Sequence, residues 1–140
     1  MSTEYKLSII MPVYNEEKTI IQILKKIKKV KIHKEVIVIS DGSLDKTNIL
    51  LKNNKYLYNK VIFLEKNMGK GNACNIGINL ARGQFTIIQD ADLEYNPQNY
   101  LKIVDLLNKN NLVVYGSRVL KGGLRTRPSG LRPYFSMFAN

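Results

Sequence analysis

The chain predicts an α/β fold, a mostly parallel sheet with helices on both faces, and three observations carry that prediction. Short β-branched runs alternate with segments of helical period. Several of the strand-like runs are apolar throughout, as strands covered on both sides are. No internal repeat and no linker divides the 140 residues, which suffice for one domain, residues 1–140, with a genuine core.

The elements follow in order. Leu7 to Val13 is a strand-like run that includes Pro12, and Glu17 to Lys29 is a helix whose Ile20, Ile23, Leu24 and Ile27 recur at threes and fours, followed by Val30. Glu35 to Ser40 is a buried strand, and Ser43 or Asp45 can cap a helix running to about Lys55. Val61 to Glu65 is a third strand; Lys70 to Ala81 is a third helix with Gly83 as its stop signal. Phe85 to Gln89 forms the fourth strand. Asn96 and Pro97 then start a helix whose buried stripe is Tyr100, Leu101, Val104 and Leu107. Leu112 to Tyr115 reads as a fifth strand, and from Lys121 onward Gly and Pro break any period, leaving a basic loop and a partial helix.

A parallel sheet gathers the loops after its strands at one edge, where open α/β folds bind ligands. The loops after strands one, two and four hold Tyr14-Asn15-Glu16, Asp41-Gly42-Ser43 and Asp90-Ala91-Asp92. Asp90 and Asp92 end an apolar strand with two fixed carboxylates, a donor set for a hard divalent cation such as Mg²⁺ or Mn²⁺ shared with a diphosphate. An Asp-x-Asp by itself can equally well open a polar loop.

Lys and Arg number 22 against 11 Asp and Glu, a net charge of +11. Asp105 is the last acid, and Lys109, Arg118, Lys121, Arg125, Arg127 and Arg132 follow it without counter-charge. That field favours nucleotide diphosphates or an anionic membrane surface. Nucleic acid is disfavoured, because stacking aromatics are not interleaved with the basic residues. The lysines from Lys25 to Lys34 read mainly as a solvated face. No apolar run approaches the ~18 residues of a membrane span. The N-terminus lacks a secretion pattern, so the expected location is cytoplasmic, at most at the cytoplasmic face of a membrane. Cys74 is expected to be a small packed residue, and His33, the single histidine, leaves no material for a triad or a His-based metal site.

Ser8-Ile9-Ile10-Met11-Pro12-Val13-Tyr14-Asn15-Glu16-Glu17 and Ile37 to Thr47 resemble the opening of the family 2 glycosyltransferases of GT-A fold. Asn67-Met68-Gly69-Lys70-Gly71-Asn72-Ala73, Ala81-Arg82-Gly83 and Asp90-Ala91-Asp92-Leu93-Glu94 continue the match in order. Gly116-Ser117-Arg118 and the acidic loop look most like the polyprenyl-phosphate, dolichol-phosphate mannosyltransferase-like branch. The resemblance implies a GT-A, Rossmann-like sheet and transfer of a sugar, with inversion, from a UDP- or GDP-sugar.

It also implies roles. Pro12, Tyr14 and Glu16 would line the nucleotide pocket, with Tyr14 offering a face to the base or else serving as a core aromatic. Asp41 would hold a base or ribose group; relatives usually carry two successive acids there, and Ser40 precedes Asp41 here. Asp90, Asp92 and Glu94 would engage the metal, with Ala91 between the aspartates. Arg118 would steady the diphosphate, helped by Arg127 or Arg132, or would be a surface charge only. Gly69-Lys70-Gly71 lacks the spacing of a phosphate loop, so it reads as a helix start with Lys70 near the donor.

No acid after Asp105 can serve as the base that a hydroxyl acceptor needs. Two explanations stay open: the acceptor is a polyprenyl phosphate, already anionic, or the chain stops before the acceptor half, whose acceptor could then be a glycan. A donor-binding module without turnover and a sugar nucleotidyltransferase are the alternative functions; the second would be expected to open with a Gly-rich loop, unlike Met11-Pro12-Val13-Tyr14. The family's processive synthases use a Gln-x-x-Arg-Trp segment, and the chain has no Trp.

Overall fold

The computed structural model of the chain describes residues 5–108 and 137–139. Strand β1 (Tyr5–Val13) leads to α1 (Ile20–Lys29), then β2 (Lys34–Asp41), α2 (Thr47–Asn53), β3 (Lys60–Leu64), α3 (Lys70–Leu80), β4 (Gly83–Ile88), α4 (Tyr100–Asn108) and β5 (Met137–Ala139). The sheet order is β3-β2-β1-β4-β5. The first four strands pair in parallel, with Ile10 beside Ile37 on one side and Ile88 on the other. Among the described residues, β5 alone runs antiparallel, along β4.

Alternation along the strands divides the core in two. Leu7, Ile9, Met11 and Val13 face one side with Val36, Val38, Phe85 and Ile87, where Ile20, Ile23, Leu24 and Ile27 of α1, Leu51 of α2 and Tyr100, Val104 and Leu107 of α4 cover them. Ile10, Ile37 and Ile39 face the other side against Ala73 of α3. Gly77 of α3 lies so close to the sheet that an added Cβ would come within 2.3 Å of the Ile10 side chain. A helix can therefore sit tightly there only through glycine.

The elements depart from the sequence reading in instructive places. Helix α1 begins at Ile20 rather than Glu17, because a turn over residues 17–19 precedes it and the Glu16 carbonyl accepts from the N–H groups of Thr19 and Ile20. A 3-10 turn over Pro97–Asn99 precedes α4, with the Asn96 side chain accepting from Gln98 N. Leu101 does not belong to the buried stripe. It is 45% exposed, since positions 100, 104 and 107 already occupy the inward face and residue 101 lies about 100° away around the helix. Gly83 opens β4 rather than merely stopping α3; an added Cβ there would meet Ser8 N at 2.6 Å. Residues 137–139 form a strand where a partial helix was expected, because the β4 edge offers backbone partners to that apolar segment. The expected strand Leu112–Tyr115 lies outside the described residues.

The Ala81-Arg82-Gly83 segment has a structural task at the amino edge of the sheet. Buried Glu35 accepts from Ser8 Oγ at 2.6 Å and from Arg82 N at 2.6 Å, and the Arg82 guanidinium reaches Glu35 Oε2 at 3.2 Å. Gly83 N in turn donates to Ser8 Oγ at 2.8 Å. One carboxylate thus joins β1 at Ser8, β2 at Glu35 and Arg82, the residue before β4. The Arg82→Ala substitution strips the buried carboxylate of its counter-ion. Fully buried pairs lose about 3–5 kcal/mol in this way; because Arg82 is half exposed, a loss of about 2 kcal/mol is expected in urea unfolding. Glu35→Gln, which keeps an acceptor for Ser8 and Arg82 N, should cost less.

Candidate functional site

The carboxyl ends of the parallel strands meet at a cleft of about 330 Å³, lined by Pro12, Val13, Tyr14, Glu16, Asp41, Asn67, Lys70, Asp90, Ala91 and Asp92. That size lies at the lower end of small-molecule sites. Each segment arrives for a local reason. Pro12 closes β1 within the sheet, and Asn15 then takes a left-handed conformation (φ 53°) that turns the chain over the edge. Asparagine tolerates that conformation better than most residues.

The first two loops are stitched together. Asn15 N donates to Ser43 Oγ at 3.1 Å, and Asn15 Oδ1 accepts from Leu44 N at 2.8 Å. Glu16 N donates to Thr47 Oγ1 at 2.9 Å, while the Glu16 carboxylate accepts from Thr19 Oγ1 at 2.7 Å. Glu17 N donates to Asp45 Oδ2 at 3.1 Å and Lys46 N to Glu17 Oε2 at 2.9 Å. The N-cap of α2 is Lys46, without a side-chain cap bond, rather than either expected residue; Asp45, one place earlier, accepts from Thr47 N through Oδ1. Its pKa is lowered: burial alone raises it, but that is outweighed by hydrogen bonds from Thr47 and from the backbone, which favour the carboxylate.

Asp41 is nearly buried and binds the third loop. Its Oδ1 accepts from Met68 N at 2.7 Å and its Oδ2 from Gly69 N at 2.8 Å. Gly69 has φ 91°, a conformation closed to most side chains, and it stands immediately before the first residue of α3. The expected helix start at Lys70 is therefore what the glycine segment builds. Ser40, the residue before Asp41, is fully buried and donates to Asn48 Oδ1 at 2.6 Å. It faces α2 rather than the cleft.

The acidic turn completes the rim. Gln89 N extends the ladder to Ile10 O at 2.9 Å, and the Gln89 side chain is held below the turn by the buried Tyr100 hydroxyl. Burial raises the Tyr100 pKa far above the ordinary tyrosine value, so this hydroxyl stays a donor. Asp90 Oδ1 pairs with Lys70 Nζ at 2.6 Å. Ala91 is buried, and Asp92 is exposed at the cleft with Oδ1 accepting from Glu94 N at 3.1 Å. Leu93 has φ 66°, unusual for a leucine, and strain of this kind costs about 1–3 kcal/mol.

Of the residues singled out from the sequence, Pro12, Tyr14, Glu16, Asp41, Lys70, Asp90, Ala91 and Asp92 all line one cleft. Tyr14 is 43% exposed there, which removes the core-aromatic alternative. Glu94 is exposed and does not line the cleft, since the left-handed Leu93 carries the chain away. Among the described residues no three His, Cys, Asp or Glu side chains gather to hold an ion by themselves. Two carboxylates facing a cleft nonetheless suit a Mg²⁺ or Mn²⁺ that takes its remaining ligands from a diphosphate and water. Arg118, Arg127 and Arg132 lie outside the described residues. Asn67 and Val13 also line the cleft and were not singled out; Asn67 could have been found from topology, because a parallel β3 must deliver its loop to the same edge. Cys74 is a packed residue one turn after Lys70, and burial pushes its thiol pKa up.

The fold is of the GT-A type, and comparison with known proteins agrees. TarS of S. aureus solved with UDP superimposes with a TM-score of 0.69 at 26% identity, covering 86% of this chain and 38% of that one. The mannosyltransferase PcManGT of Pyrobaculum calidifontis, solved with GDP-Man and Mn²⁺, gives 0.61 at 25% identity over 69% of this chain and 30% of its own. The family model "Glycosyl transferase family 2" matches residues 8–138, and the chain belongs to that family. An uncharacterised glycosyltransferase of Synechocystis sp. is 34% identical over 84% of this chain and 39% of its own length. The dolichol-phosphate mannosyltransferase of Pyrococcus furiosus is 30% identical, with 84% and 34% covered. The chain thus spans about two-fifths or less of the length of these relatives. Among the described residues no helix is long and apolar enough to cross a membrane.

The pinning of the third loop can be tested without touching a ligand. Gly42 has φ 68°, and an added Cβ would come within 2.4 Å of the Lys66 and Asn67 backbone. Gly42→Ala should therefore destabilise the protein by more than about 1 kcal/mol in urea unfolding. It should also accelerate amide exchange at Met68 and Gly69, the donors to Asp41.

Proposed function

We propose that the cleft binds a nucleotide diphosphate sugar with a divalent metal and that the sugar is passed, with inversion, to a polyprenyl phosphate. The observation that carries this reading is the convergence of Tyr14, Asp41, Lys70, Asp90 and Asp92 on one cleft at the carboxyl edge of the sheet. Residues 1–140 are then the nucleotide-sugar-binding part of a GT-A catalytic domain.

Each residue has a task set by its surroundings. Tyr14 presents an exposed ring beside Pro12, suited to stacking on a nucleobase. Asp41, with each oxygen already accepting one backbone N–H, keeps lone pairs for a ribose or base donor while fixing the loop that carries Lys70. Asp90 and Asp92 would hold the metal, and Arg118, outside the described residues, would add positive charge to the diphosphate. A bound Mg²⁺ or Mn²⁺ would neutralise charge on the diphosphate and so improve it as a leaving group. Asp92 is on this account the residue whose loss most directly weakens the donor complex.

Support for a lipid phosphate acceptor comes from two sides. One relative is a dolichol-phosphate mannosyltransferase, and another is the dodecaprenyl-phosphate galacturonate synthase of Rhizobium johnstonii, 29% identical over 90% of this chain and 38% of its own length. Lys109, Arg118, Lys121, Arg125, Arg127 and Arg132 supply a run of positive charge for a lipid phosphate. The same phosphate chemistry suits the basic residues after Asp105 and a peripheral position at a membrane face.

Calorimetric titration with UDP, GDP and their sugars, with and without Mn²⁺, tests the donor site. Affinity should rise with Mn²⁺ in the native protein, and Asp92→Asn should lower the metal-dependent part by about tenfold or more, the scale of one lost charged ligand. Its melting temperature should stay unchanged. Metal-dependent affinity equal to that of the native protein would remove Asp92 from the site. Incubation with labelled sugar nucleotide and polyprenyl phosphate then separates transfer from binding alone, and release of pyrophosphate would indicate nucleotidyl transfer instead.

A further inference from the structure

Lys70 already places a cation against one of the two carboxylates. Its Nζ lies 2.6 Å from Asp90 Oδ1, the two side chains being 60% and 28% exposed. The backbone of Lys70 is fixed, because Gly69 before it is held by Asp41 and α3 begins at Lys70 itself. The side chain is not fixed by packing: it is more than half exposed, and its long stem can carry the ammonium from Asp90 to another anion within the same cleft.

We propose that Lys70 is an internal counter-ion that couples metal binding to nucleotide binding. With the cleft empty, the ammonium neutralises Asp90 and competes with any divalent cation for that carboxylate. With a nucleotide diphosphate in the cleft, the phosphate oxygens give the ammonium a second partner, and Lys70 releases Asp90. The divalent cation is then taken up together with the nucleotide rather than ahead of it. This inference rests on the donor-and-metal reading above. It adds to that reading a direction of coupling and the residue responsible for it.

The coupling must be reciprocal: the factor by which nucleotide raises Mn²⁺ affinity equals the factor by which Mn²⁺ raises nucleotide affinity. Removal of the ammonium has two separable consequences. Mn²⁺ alone no longer has a competitor, so it binds more tightly. The share of the coupling that came from relocating the ammonium disappears, so nucleotide enhances Mn²⁺ affinity less. A residue that merely contacted phosphate would weaken nucleotide binding and leave Mn²⁺ alone unaffected.

The experiment is a Mn²⁺ titration followed by electron paramagnetic resonance, with Mn²⁺ alone and in the presence of UDP or GDP. The native chain is compared with Lys70→Met and Lys70→Arg, each checked for an unchanged melting temperature. For Lys70→Met we expect Mn²⁺ alone to bind about twofold to fivefold more tightly, the scale of one partly exposed ion pair. The nucleotide enhancement should shrink by a similar factor, and Lys70→Arg should keep the native pattern. Unchanged or weaker binding of Mn²⁺ alone to Lys70→Met, beside normal nucleotide-enhanced binding in the native chain, overturns the coupling and leaves the donor site standing. No Mn²⁺ uptake by the native chain with either nucleotide overturns both.

Discussion

The grip of the Asp41 carboxylate on the N–H groups of Met68 and Gly69 is the interaction on which the site depends. It ends β2 with a buried charge whose two oxygens each accept one backbone N–H, a state that burial permits only with such partners. By holding the loop after β3, it sets where α3 begins and therefore where Lys70 stands relative to Asp90. Gly42 and Gly69, both at positive φ, let the two segments approach closely enough for this contact. The recognition surface is thus assembled from loops whose geometry is determined by the sheet edge beneath them.

The two edges of the sheet divide the work. At the amino edge Glu35, Ser8, Arg82 and Gly83 lock three neighbouring strands in register. At the carboxyl edge the polar groups are instead left facing a cleft, with Asp92 exposed and the Lys70–Asp90 pair partly solvated. The partly solvated Lys70–Asp90 pair and the strained Leu93 lie at the carboxyl edge, beside the cleft.

Much of this was legible in the residues. Apolar alternation along β1 and the stripe of α1 specify which faces are buried, and the order of strands and helices specifies that the loops share an edge. The cleft follows from that topology. What was not legible concerns contacts between segments distant in the chain: that Asp41 would spend a hydrogen bond of each oxygen on the backbone, that Arg82 would serve Glu35, and that Asn67 would join the rim. The exposure of Leu101 is not legible either, because four apolar positions fit a helical stripe of which three point inward.

The most direct measurement of the central claim is a crystal structure of the chain soaked with GDP or UDP and Mn²⁺, with the ion located by its anomalous scattering. The account predicts one Mn²⁺ between the diphosphate and the carboxylates of Asp90 and Asp92, with the nucleobase against Tyr14. An ion bound elsewhere, or a nucleotide held in the cleft with both aspartates turned to bulk water, would contradict it.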